Sequence, residues 1–401
     1  MELHVVKTRS GRPRCSPLSD VLDSGHLRLS SSRQTAGSSG GPSMSAHPTA
    51  RHRTLWAIAL VAAISCRAPA PSAPSSAPAS APAAPTAAPA DAGTSPTPGA
   101  LPPPLDPPQM VHVGLLQAIS DAGVYIGLDR GYYRDLGLDL QVETVPDPNT
   151  LSSLINTSQL DVGGPGVNLS PFLAAARGIG VKMVADKGQL RPGFGYVSVI
   201  VRQDLLDSGE VRSFADLRGR TLAKAAPCDA GDPPIQHGLD RAGLTRDDVD
   251  IVHLSFPDMN TALANHALDA AWQLEPLIAL ADQQGIARKL VGGDELYPNQ
   301  EIGTLYYSPE FAKRVDAARR FMVAYVRGLR DYNDAFGKNV GRAAVVQILA
   351  KYTTVKDPSL YDKMIPAGLD PNGRINLQGM RDNLAVWTRL GCVTGEVADV
   401  S

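Results

Sequence analysis

Between Arg67 and Gln109 the chain is almost entirely Ala, Pro, Ser, Thr and Gly, and Arg67, Asp91 and Asp106 are its only charges there. Such a segment has too few large apolar side chains to offset the entropy lost on folding, so it is expected to stay disordered. Its prolines favour extended backbone at about 3.1 Å per residue, a maximum reach of roughly 130 Å. It confines folding to the residues on its C-terminal side. About 290 residues remain there, enough to bury a large core and to make two domains.

Just upstream, Met44 opens a short polar segment with Arg51 and Arg53, followed by the apolar run Leu55 to Ile64 and by Ser65-Cys66. A basic stretch, about ten apolar residues and small residues before a cut make a bacterial export signal. The run is too short for a membrane span, which needs roughly twenty residues. Ala63-Ile64-Ser65-Cys66 resembles a lipobox, with Ala63 where leucine is commonest. That resemblance implies a lipid on the Cys66 thiol, a signal over 44–66 and a tether over 67–109. The protein is then expected to be anchored to the cell membrane and to face the periplasm or the exterior. Residues 1–43 are polar, Ser-rich and basic. They read as disordered, or as lying before a true start at Met44.

The formal charge of −2 gives no argument for nucleic acid, and most of the basic excess precedes Cys66. Only Cys228 and Cys392 fall in the folding part. Two cysteines in so long a segment do not make a disulfide scaffold. Two independent thiols are preferred to a single bridge.

From Met110 onward, short apolar or alternating runs alternate with helical segments. Strands are expected at 111–116, 138–144, 160–163, 181–184, 196–201, 221–224, 251–254, 269–273, 289–291 and 302–307. Leu138-Asp-Leu-Gln-Val-Glu-Thr alternates with period two, as a half-buried strand does. In 121–133, Val124, Leu128 and Tyr132 recur at spacing four, as on one helix face. Further helices are expected at 150–158, 235–242, 259–268, 276–284, 310–336, 340–352 and 377–390. Repeated strand–helix alternation indicates an α/β fold with largely parallel sheets.

Five segments, in order, carry a family resemblance. They are Tyr125-Ile-Gly-Leu-Asp-Arg-Gly-Tyr-Tyr-Arg-Asp-Leu-Gly-Leu-Asp-Leu, Leu160-Asp-Val-Gly-Gly-Pro-Gly, Ser213 to Arg220, Ala267-Leu-Asp-Ala-Ala-Trp-Gln-Leu-Glu-Pro and Arg319-Arg-Phe-Met-Val-Ala-Tyr-Val-Arg-Gly. Together they resemble the solute-binding proteins of ABC importers, in the branch serving nitrate, sulfonates, taurine and thiamine-pyrimidine precursors. The resemblance covers Met110 to Ser401. It implies a type II two-lobed periplasmic-binding-protein fold, with lobe 1 from 110–200 and 303–401 and lobe 2 from 201–302. It also implies a small-molecule ligand, an ABC permease as partner, a monomer, no cofactor and no enzymatic activity. With Cys228 in one lobe and Cys392 at the end of the other, a bridge would restrict lobe opening, which adds to the expectation of free thiols.

Four loops are then expected to face the cleft. The first offers Gln117, Ser120 and Asp121, of which the last two also suit a helix cap. The second, with Gly164, Gly166 and Asn168, lets backbone N–H groups approach a ligand. The third carries Cys228, Asp229 and Asp232 where anion-binding relatives tend to carry Ser and Thr. The fourth carries Trp272, Gln273 and Glu275. Tyr125, Phe194 and Tyr196 are candidates for stacking on a flat ligand. Lys187 and Arg191 flank Pro192-Gly-Phe-Gly and could supply positive charge, but a solvated loop is the preferred reading. With the aspartates repelling anions and aromatics nearby, the ligand is expected to be neutral or cationic and planar. Against catalysis stand the lack of a zinc-helix histidine pair and of a Gly-x-Ser-x-Gly elbow. The alternative is an enzyme on the same fold, like the menaquinone-pathway dehydratases or the pyrimidine-precursor synthases.

Overall fold

The computed structural model describes residues 3–6, 101–393, 395 and 397–400. The export-type segment, Cys66 and most of the expected tether lie outside the described residues. Twelve strands are described: β1 (Leu3–Val6), β2 (Gln109–Leu115), β3 (Leu138–Thr144), β4 (Val162–Gly163), β5 (Lys182–Gln189), β6 (Val197–Arg202), β7 (Thr221–Lys224), β8 (Asp250–His253), β9 (Ala270–Leu274), β10 (Ala287–Gly292), β11 (Glu301–Tyr307) and β12 (Val397–Val400).

Ten of them form two five-stranded sheets with the same plan, one in the order β3-β2-β4-β11-β5 and the other in the order β8-β7-β9-β6-β10. In the first, β3, β2 and β4 are parallel, and β11 runs antiparallel to both β4 and β5. In the second, β8, β7 and β9 are parallel, and β6 runs antiparallel to both β9 and β10. Each sheet is thus parallel but for one reversed strand. The reversed strands, β6 and β11, are those the chain enters on crossing from one lobe to the other. The two crossing segments bond to each other, Leu190 N–H to the Gln300 carbonyl at 2.9 Å and Asn299 N–H to the Leu190 carbonyl at 2.7 Å.

Alternation decides which way each strand of the second sheet faces. Val197, Val199, Val201, Leu222, Ala270, Trp272 and Leu274 join the main core. Their neighbours Ile200, Ala223 and Ala271 point through the sheet into a second cluster with Met259 and Leu263. In the first lobe the long helix Val315–Gly337 lies on the helix Ala122–Asp129. The approach requires glycine: a Cβ on Gly328 would sit 2.1 Å from the Gly123 carbonyl oxygen.

The 121–133 helix is shorter than its spacing suggests. A 3-10 turn occupies Ile119–Asp121, the helix runs Ala122–Asp129, and Gly131 takes a left-handed φ of 74°. The 310–336 helix is two, Pro309–Lys313 and Val315–Gly337. β5 runs on to Gln189, so Lys187 lies within a strand rather than a solvated loop. Within the first 43 residues, Leu3–Val6 pair antiparallel with Val397–Val400. No helix of the described residues is long and apolar enough to cross a membrane.

The expectation of free thiols is corrected: Cys228 and Cys392 form a disulfide, with Cα atoms 6.0 Å apart. The reason lies in the last helix, Leu377–Arg389, which does not stay on lobe 1. Asn383 Nδ2 donates to the Glu301 carbonyl at 2.8 Å, while Trp387 Nε1 donates to the Asp229 carbonyl in lobe 2 at 2.9 Å. The helix straddles the seam and delivers Cys392 to the first loop of lobe 2.

Candidate ligand-binding cleft

Between the sheets lies a cavity of about 50 Å³, walled by residues from both. At about 10–15 Å³ per water, it holds a group of a few atoms. With β6 in the second sheet and β11 in the first, the chain crosses at Leu190 and Gln300 rather than near residues 200 and 302. Lobe 1 therefore supplies Leu116, Ser120, Pro148, Gly166, Lys187 and Ile302, and lobe 2 supplies Tyr196, Asp229, Gly231, Phe256, Trp272 and Leu274. Beside the cavity the lobes bond directly, Leu169 N–H to the Cys228 carbonyl at 3.2 Å and Ile119 N–H to the Glu275 carbonyl at 3.1 Å.

At the lobe 1 wall, Lys187 Nζ lies 2.8 Å from Asp121 Oδ1, with both side chains almost fully buried. The same ammonium donates to Ser120 Oγ at 3.1 Å. The other Asp121 oxygen accepts the Ala118 N–H at 2.9 Å, so the carboxylate both caps the turn after β2 and neutralises Lys187. Gly164 is needed here, because a Cβ on it would stand 2.3 Å from Lys187 Cε. Tyr196 lines the same cavity, and burial holds its hydroxyl well above the ordinary phenol range.

At the lobe 2 wall, Lys224 Nζ lies 2.8 Å from Asp229 Oδ1 and 3.1 Å from Asp232 Oδ2, and also donates to the Ala226 carbonyl. Asp232 Oδ1 takes Arg246 Nη2 at 2.9 Å. The carboxylates also collect loop amides: Asp229 accepts from Ala226 and Gly231, and Asp232 from Asp229. Burial pushes the Asp229 carboxyl up, against the pull of Lys224.

Of the residues expected at the cleft, Ser120, Gly166, Tyr196, Asp229 and Trp272 line the cavity. The others have different work. Tyr125 is in the lobe 1 core, stacked on Tyr352 with ring centroids 5.2 Å apart. Asn168 organises its own loop, donating to Ser152 Oγ and the Gly166 carbonyl and accepting from Ser170 N–H. Gln273 points through the sheet and donates to the Phe256 carbonyl and Asn260 Oδ1. Gln117 is half-buried with a left-handed φ of 61°, and Cys228 is in the disulfide. Phe194 carries the Arg191 guanidinium 5.1 Å over its ring. Glu275 sits at the lobe seam, its carboxylate accepting from Ala279 in lobe 2 at 3.0 Å and from Ile365 at 3.3 Å. Burial pushes its carboxyl up to about 7.

Phe256, Leu116, Pro148 and Ile302 were not singled out for the cavity, and Lys187 was weighed as a cleft charge but placed in a solvated loop. Lys187 carried a signal, as a charge beside Asp186 in an otherwise strand-like run before Gly188. The apolar residues carried none, since nothing local separates a cavity-lining Leu or Pro from a core one.

The family model described as NMT1/THI5 like matches residues 119–334, more than half of the chain. The chain belongs to the NMT1/THI5-like family. A Brucella abortus protein named as a binding protein is 22% identical over 276 residues, covering 67% of this chain and 76% of that one. Among solved structures, the alkanesulfonate-binding protein of Xanthomonas axonopodis pv. citri, bound to MOPS, superposes with a TM-score of 0.57 at 19% identity, covering 71% of this chain and 93% of that one. The ligand-binding component of an ABC-type import system from Staphylococcus aureus gives 0.60 at 14% identity, covering 72% and 94%. The periplasmic nitrate-binding protein of Synechocystis PCC 6803 gives 0.58 at 12%, covering 71% and 82%. At these identities the likeness is one of fold: this NMT1/THI5-like chain has the two-lobed architecture of periplasmic binding proteins.

Proposed function

We propose that this protein is the membrane-anchored substrate-binding component of an ABC importer. It captures a small molecule between its lobes and passes it to a permease. The observation that carries the reading is the cavity walled by both sheets beside two crossing segments that bond to each other. That arrangement suits a hinge that closes over a ligand. The names of the fold relatives support an importer. The segment ending at Cys66 supports export and a lipid anchor, with the chain acting as a monomer on the outer side of the membrane. Binding is favoured over turnover because the polar groups at the cavity wall are held in pairs within their own lobes.

Two experiments test this. Deleting the gene abolishes uptake of one solute in the parent cells, and re-expression restores it; unchanged uptake of every solute, or turnover of a metabolite by the purified chain, refutes the importer role. Metabolic labelling with a fatty-acid analogue marks the wild type and not Cys66→Ala. Equal labelling of both forms leaves plain export.

A further inference from the structure

An oxyanion held in such a cleft needs either an unpaired cation or unoccupied backbone N–H groups at the loop ends. Here the buried cations Lys187 and Lys224, and the loop amides of Ala118, Ala226, Asp229 and Gly231, are engaged by the protein's own carboxylates. Asp121 takes Lys187 and the Ala118 amide. Asp229 takes Lys224 and the amides of Ala226 and Gly231. Asp232 takes Lys224, Arg246 and the Asp229 amide. These carboxylates stand as resident anions in the loops where a bound anion would sit.

Every one of these pairs is internal to one lobe. Lys187 and Asp121 both belong to lobe 1, and Lys224, Arg246, Asp229 and Asp232 all belong to lobe 2. Opening or closing the cleft therefore releases no charge. A cationic ligand fares no better, because Asp229 and Asp121 are neutralised whether or not the lobes meet. Burying an ion without a free counter-charge is strongly unfavourable. The cavity instead offers an apolar surface of Leu116, Pro148, Phe256, Trp272, Leu274 and Ile302, with Ser120 and Tyr196 in its wall beside the already paired Lys187 and Asp229.

We infer that the ligand is an uncharged, chiefly apolar small molecule with a single hydroxyl, carbonyl or amide group directed at Ser120, and that neither anions nor cations are ligands. This rests on the receptor reading and narrows the ligand class expected from sequence, since the aspartates that favoured a cation are spent on Lys224 and Arg246.

The test uses three near-isosteric probes, benzamide, benzoate and benzamidine, with methanesulfonate and nitrate as further anions, titrated calorimetrically into the full chain. Benzamide is expected to bind at least about tenfold tighter than either charged isostere. In Asp121→Asn, Lys187 is left without its counter-charge while the Ala118 amide keeps an acceptor. Benzoate should there gain about tenfold while benzamide changes by less than about threefold. The inference is overturned if, in the wild type, benzoate, benzamidine, methanesulfonate or nitrate matches or exceeds benzamide. It is also overturned if benzamide fails to bind at about 10 mM. Tight binding of an anion would remove the ligand class and leave the receptor reading intact. That reading fails separately, through the uptake experiment. The wild-type comparison stands even if Asp121→Asn does not fold.

Discussion

Cys228 and Cys392 are joined across 164 residues of chain, tying the first loop of lobe 2 to the end of the helix that straddles both lobes. The same loop is gripped by Trp387 and by Gln300, whose Nε2 donates to the Ala230 carbonyl at 2.8 Å. Lobe opening therefore turns about this tie rather than away from it. Closing so long a loop constrains the unfolded chain, a contribution of about 2–5 kcal/mol. The Cys228→Ser, Cys392→Ser double variant should lower the denaturation midpoint in urea accordingly, while adding reductant leaves the variant unchanged. Intact mass should rise by two hydrogens on reduction of the wild type. No such mass change would show the bridge to be absent.

Glu275 predicts a pH dependence. Its folded carboxyl titrates at about 7, against an ordinary 4.5, so between those values the folded state holds more protons than the unfolded one. Stability that is full below pH 4.5 is thus lost as pH rises through 7. The loss is up to about 3 kcal/mol for this group. Asp186, pushed up to about 6 by burial, acts in the same direction. Glu275→Gln should flatten part of the fall, measured as unfolding free energy at a series of pH values. An unchanged slope would mean that Glu275 is solvated.

Lys224 is fully buried between two carboxylates. Lys224→Met removes the charge but fills most of the space, and leaves Asp229 without a cation and Asp232 with only half-exposed Arg246. A loss of about 3–5 kcal/mol is expected from breaking a buried pair on one side. Equilibrium denaturation measures it. A change within about 0.5 kcal/mol would show that water already reaches the site.

Trp272 lines the cavity and packs so closely that a Cβ on Gly231 would lie 2.8 Å from its Cδ1. Trp272→Ala would confound binding with a cavity cost of about 3–5 kcal/mol. Trp272→Phe keeps a ring there. It should weaken binding of the imported solute about tenfold, or 1.4 kcal/mol, with a smaller effect on stability. Undiminished affinity by calorimetry would place the ligand elsewhere.

The sequence by itself determined the fold class and most of the elements, but not the break between Lys313 and Val315 or the extension of β5 to Gln189. Alternation in 138–144, apolar runs such as Val197–Val201 and the small-residue loop after Val162 are local patterns, and local patterns fix strands, helices and turns. It also marked the loops that reach the cleft, so Ser120, Gly166, Tyr196, Asp229 and Trp272 were legible. Only the tertiary structure decided what their charges do. Asp229 and Asp232 read as repulsive to anions until Lys224 and Arg246 are seen beside them, and Lys187 read as solvated until Asp121 is found 2.8 Å away. The disulfide was hidden for the same reason: Cys392 reaches lobe 2 only because the last helix crosses the seam. Pairing between residues far apart in the chain depends on where whole elements pack, and no local pattern carries that.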